Sequence, residues 1–121
     1  LNAIQDGIIK SAHDLSDGGL AVNIAESVLQ SEKNIGAHIS IDSKLRQDEL
    51  LFGECQSVII VSLNQSDLIK LSTLSKNKDL HIQTIGKVTN DSKVVINDLI
   101  NIDRSKLAPK YFNYYSNLFD K

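Results

Sequence analysis

Residues 12–27 read AHDLSDGGLAVNIAES, and the architecture follows from this stretch: the end of a strand passes through an acidic turn with two adjacent glycines into a helix. Gly18 and Gly19 lack a Cβ, so the backbone there can bend sharply and come close to a ligand. His13, Asp14, Ser16 and Asp17 crowd the same turn. The start of a helix leaves several N–H groups unpaired and carries partial positive charge, so a phosphate, bare or metal-bound, can dock there without a basic side chain. Two readings stand side by side. In one, Ser16 or Asp17 is the N-cap of the helix and the glycines only turn the chain; in the other, the loop binds a ligand. The spacing matches neither the dinucleotide-binding glycine fingerprint nor the Walker loop, which needs a Lys after its last Gly.

Working outward, Leu20, Ala21, Ile24, Ala25, Val28 and Leu29 recur at helical spacing and leave Asn23, Glu26, Ser27 and Gln30 for the other face. Upstream, residues 9–13 are a short apolar lead-in and residues 1–8 read as the end of a helix. Downstream, extended segments are expected at 36–42 and 56–63, with the β-branched run Val58–Ile59–Ile60–Val61 suited to a strand covered on both faces, and DELLFG forms a short helix between them. Residues 66–77 form an amphipathic helix with Leu68, Leu71 and Leu74 inward. Two strands at 80–88 and 92–97 are joined by the turn-prone TNDS. A last helix over 105–118 carries Leu107, Tyr111, Tyr114, Tyr115 and Leu118 on an apolar side fit for packing. The fold class is an α/β (α+β) sandwich, a mixed sheet with packed helices.

The 121 residues suit a single domain spanning 1–121, and a start at Leu1 inside a helical pattern leads us to expect a domain excised from a larger protein. With 13 basic and 15 acidic residues the net charge is −2, and the cations are scattered, which predicts no nucleic-acid partner. A lone Cys55 allows neither an internal disulfide nor a cysteine zinc site and suits a reducing cytoplasm. No apolar run reaches the roughly 20 residues of a membrane span, so no membrane partner is expected.

AHDLSDGGLAV together with FGECQSVIIVS at residues 52–62 resembles the last domain of the phosphoribosylformylglycinamidine synthase family, the large ATP-using component of an early purine-biosynthesis step. Relatives such as aminoimidazole ribonucleotide synthetase, selenophosphate synthetase and a hydrogenase-maturation protein share a glycine-rich version of the first motif; the pair in this order is more specific. The resemblance weakens after about residue 90. It implies a C-terminal sandwich domain like that of aminoimidazole ribonucleotide synthetase, distantly ferredoxin-like, in an enzyme where two such domains alternate with two that supply nucleotide-binding surfaces.

By the same resemblance, Asp14 corresponds to a residue that helps hold Mg²⁺, and Ser16, Asp17, Gly18 and Gly19 form a phosphate or nucleotide loop; His13 beside them is either a catalytic hydrogen-bond donor to substrate or a histidine satisfied in or near the core. Glu54, Cys55 and Gln56 correspond to a triplet that contacts formylglycinamide ribonucleotide. A carboxylate beside an amide can both accept from and donate to a substrate amide or hydroxyl, although Glu54 and Gln56 also suit a solvated turn. The cofactors implied are Mg²⁺ and ATP, bound mainly by domains outside this chain. The partners are those preceding domains, a glutaminase subunit that delivers ammonia, and a small bridging subunit. The reaction implied is phosphorylation of the substrate amide oxygen by ATP, followed by displacement of phosphate by ammonia, for which this chain alone is expected to be insufficient.

Two positions depart from the family pattern: Cys55 stands where Ser is usual, and Val58 where Arg is common. Loss of an anion-pairing Arg leaves an alternative open. In the duplicated family enzyme one pseudo-site is catalytic and the other structural or nucleotide-holding, so this domain is either a contributor to the reacting site or a catalytically silent scaffold. The equivalent domain of aminoimidazole ribonucleotide synthetase is the third reading.

Overall fold

A helix begins where the left-handed Gly18 ends the turn, because the next eleven residues place branched and small apolar side chains on one stripe. In the computed structural model, which describes residues 1–15, 18–54 and 57–113, the order is α1 (Asn2–Gln5), β1 (Ile9–Asp14), α2 (Gly19–Leu29), β2 (Gly36–Ile39), α3 (Gln47–Phe52) and β3 (Ile59–Leu63). After a short 3₁₀ turn come α4 (Leu68–Asn77), β4 (Gly86–Thr89), β5 (Lys93–Ile96), β6 (Ile100–Asp103) and α5 (Arg104–Phe112). This is the mixed α/β architecture that the pattern of elements predicts.

The strands form two sheets. The larger has the order β4-β2-β5-β6. In it β2 runs antiparallel to β4 and parallel to β5, and β6 closes antiparallel on β5. One face, with Ala37, Ile39, Val94 and Ile96, packs on Leu20, Ile24 and Val28 of α2 and Leu51 of α3. Ile96 is wholly buried, so this contact is the centre of the core. The other face carries His38 in register with Lys87 and Val95. The smaller sheet is the β1–β3 antiparallel ribbon, backed by a second cluster in which Ala3, Ile8 and Leu71 meet Ile9, Val61, Leu63 and Leu74.

Several expectations are corrected. The strand expected over 80–88 is ordered only as β4, Gly86–Thr89: β2 offers a four-residue edge, and Leu80 and Ile82 stay exposed without a ladder partner. The strand β6 had no counterpart in the pattern analysis, although Ile100 and Ile102 alternate with polar Asn101 and Asp103; Asn97, at φ +48, makes the tight turn before it. The run Val58–Val61 is not covered on both faces, since among the described residues β3 pairs only with β1 and Ile59 is 62% exposed. Asn23, assigned to the polar face of its helix, is buried. Of the last helix, α5 accounts for Arg104–Phe112, while Tyr114, Tyr115 and Leu118 lie outside the described residues.

Candidate functional site

The two sequence motifs meet. β1 delivers Asp14 to its end, and the following N–H, that of Leu15, donates to Val58 O at 3.0 Å. Asn23 of α2 reaches back and donates from Nδ2 to the Asp14 main-chain O at 2.6 Å. From the other side, α3 stops at Gly53, where Glu49 O lies too close to leave room for a Cβ, and the chain turns to present Glu54. The Gly18 N–H then donates to Glu54 Oε1 at 3.3 Å, joining motifs 36 residues apart.

The glycine pair is explained by this convergence. Gly18 and Gly19 both take positive φ, +79° and +78°. A Cβ on Gly19 would stand 2.6 Å from the Phe52 carbonyl carbon and 2.9 Å from Gly53 O, so a side chain is excluded by the second motif itself. Gly18 is also the residue that precedes α2, with no side-chain cap. This corrects the expectation that Ser16 or Asp17 is the N-cap; the left-handed turn starts the helix later. Ser16, Asp17, Cys55 and Gln56 lie outside the described residues.

His13 and Asp14 are neighbours in sequence but not in direction. Successive strand residues point to opposite faces; His13 lies opposite Ile60 and Asp14 opposite the exposed Ile59. Asp14 and Glu54 are both exposed carboxylates. Glu54 already supplies an anion to the positive end of α2, which favours a cation-bridged phosphate over a bare one at the same turn. Among the described residues no group of three or more His, Cys, Asp or Glu side chains could enclose a metal. Mg²⁺ does not require one: it keeps several waters, bridges phosphates and takes one or two carboxylates. The Asp14 carboxylate, with no hydrogen bond or ion pair among the described residues, fits that demand.

A second polar cluster lies on the four-stranded sheet. Asp91 accepts from Thr89 Oγ1 at 2.6 Å and Lys93 N at 3.1 Å, and stands 2.6 Å from His38 Nε2. The Thr89 hydroxyl, more than the Lys93 amide or His38, holds the Asp91 carboxyl below its ordinary value of 3.8. Beside it an open depression of about 740 Å³ is lined by His38, Ser40, Lys87, Val95, Asn97 and Asp98. No sequence signal joins these residues, because His38 and Asp91 are 53 positions apart.

The convergent turn sits in a recognisable family. Residues 1–98 match the model of the AIR synthase related protein, C-terminal domain, and the chain belongs to that family. Its similarity to particular proteins is narrower: it is 36% identical over 107 residues to phosphoribosylformylglycinamidine synthase subunit PurL of Salinibacter ruber, covering 87% of this chain and 14% of that protein. The same-named subunit of Prochlorococcus marinus strain MIT 9515 is 34% identical over 129 residues, covering 98% and 16%. The chain thus spans about one-seventh of the curated relatives it matches. The PurLQS structure from Thermotoga maritima superposes with a TM-score of 0.76 at 19% identity, over 89% of this chain and 20% of that one. T. maritima PurL complexed with AMPPCP gives 0.75 at 18% identity, with the same coverage. These structures establish the fold.

Proposed function

We propose that this chain is the C-terminal sandwich domain of a cytoplasmic phosphoribosylformylglycinamidine synthase, an ATP-dependent ligase that converts formylglycinamide ribonucleotide to the amidine with glutamine-derived ammonia. The observation that carries the reading is the Gly18–Glu54 hydrogen bond with Gly19 seated on Phe52–Gly53, which turns two separate motifs into one surface. T. maritima PurL has been solved in complex with ATP, in complex with FGAR and as PurLQS, which supports nucleotide, substrate and partner subunits of that kind for this chain.

In this reading Asp14 would hold Mg²⁺, which would supply charge neutralisation for the nucleotide phosphates. Glu54, with Cys55 and Gln56 beside it, orients the substrate amide and ribose. The family resemblance assigns His13 as a hydrogen-bond donor to substrate, and Ser16, Asp17, Gly18 and Gly19 to the phosphate, although β1 turns His13 to the face opposite Asp14. The neighbouring domains complete the site. In the full-length synthase, Asp14→Ala and Glu54→Ala are expected to lower turnover by at least about a hundredfold with folding intact; near-normal kinetics would remove both from the site. A second reading, a silent scaffold, draws on Glu54 being tied internally to Gly18 and on Val58 in place of Arg. That reading predicts loss of stability without loss of turnover for the same variants.

A further inference from the structure

We infer that Asn23 is a positioning residue, its amide fixing the main chain at Asp14 so that the carboxylate is presented to Mg²⁺; this rests on the reading of Asp14 as the magnesium ligand. Asn23 is 4% exposed and lies on the same helix side as Leu20, Ile24 and Val28. A buried amide loses about 1–3 kcal/mol for a polar atom left unpaired. Among the described residues the Asn23 Oδ1 has no partner. What the amide gains is its Nδ2 bond to Asp14 O at 2.6 Å.

The partner of that bond gives it a role beyond packing. The carbonyl of Asp14 and the N–H of Leu15 belong to one planar peptide. Asn23 of α2 holds its oxygen, and Val58 O, just before β3, holds its hydrogen at 3.0 Å. The peptide after Asp14 is clamped at both polar atoms, by α2 and by the residue before β3, and the ladder pairing of Asp14 with Ile59 holds the chain on its other side; together they set the direction of the Asp14 Cα–Cβ bond. Residues that orient a metal ligand commonly change metal affinity by about 10–100-fold when replaced.

The test uses the full-length synthase carrying this domain and follows Mn²⁺ binding in the presence of ADP by electron paramagnetic resonance. Asp14→Ala identifies the Mn²⁺ site to be followed. Asn23→Leu, of the same branched shape though larger, and Asn23→Thr, whose hydroxyl turns to its own helix, both remove the clamp. At a temperature where circular dichroism shows them folded, each is expected to weaken that site about tenfold or more, with KM for the ribonucleotide unchanged. If Asn23→Leu does not fold, Asn23→Thr decides. Unchanged Mn²⁺ affinity in a folded Asn23 variant, with the site lost in Asp14→Ala, overturns the positioning role alone. If Asp14→Ala leaves every Mn²⁺ site intact, the magnesium assignment falls and the role of Asn23 falls with it.

Discussion

At the scale of single residues, two glycines with similar backbone angles have different reasons to be glycine. Gly7 has φ +72° and open space where a Cβ would go; Gly19 has φ +78° and the backbone of Phe52 in that space. Gly19→Ala is therefore expected to destabilise by about 3 kcal/mol, from strain plus overlap, and Gly7→Ala by about 1 kcal/mol, from strain alone. Urea titration of both variants checks the difference, and equal losses would show that Phe52 yields. Asp91 makes a second residue-scale case. Its carboxyl titrates below 3.8 because Thr89, then Lys93 and His38, favour the charged form. A depressed carboxyl stabilises the fold above its unfolded-state value and loses that contribution as pH falls through the folded one. Thermal midpoints should thus drop more steeply below pH 3.8 in the parent than in Asp91→Asn, and parallel curves would deny the pair any role. None of this is visible in sequence, where a positive φ and a 53-residue separation leave no trace.

At the scale of elements, α2 is anchored at both ends. Its start rests on the second motif, and its last carbonyl is gathered with the oxygens of the loop that follows by one guanidinium: Arg104 donates from Nη2 to Leu29 O and Ser31 O, and from Nη1 to Lys33 O and Asn34 Oδ1. A cation at the end of a helix also meets the negative pole of its dipole. Arg104→Ala should cost about 2–3 kcal/mol, while Arg104→Lys recovers only part because an ammonium cannot span four acceptors. Denaturation midpoints for the two variants, with faster amide exchange at residues 29–34, measure this. The elements themselves were legible to different degrees. α2 follows from its apolar stripe, apart from Asn23, whose partner is a carbonyl nine positions away. β6 was present as a clear alternation but had only four residues to show it. The segment before β4 is apolar enough for a strand and lacks one because β2 ends first.

At the scale of the whole molecule, the site reads as an incomplete one. Phe52, Val58 and Ile59, beside the convergent turn, are 55%, 42% and 62% exposed, and among the described residues the β1–β3 ribbon pairs with no third strand. We expect this chain alone to form no product from formylglycinamide ribonucleotide, ATP and glutamine in a coupled phosphate-release assay; turnover by the isolated chain would sink the view that other domains are needed. The association of the two motifs was legible only through the family resemblance that links them, since their 36-residue separation carries no local signal. The order of the large sheet was not, since it depends on which distant strands flank β2.

That sheet order also dictates when the protein can fold. β2 ends at residue 39, but its neighbours β4 and β5 begin only at 86 and 93. During synthesis at about 5–20 residues per second, the central strand waits roughly 2–10 s with both edges bare. For that interval the nascent chain carries an unpaired β-edge, and a ribosome stalled between these strands would expose an open edge ready to pair with its neighbour's.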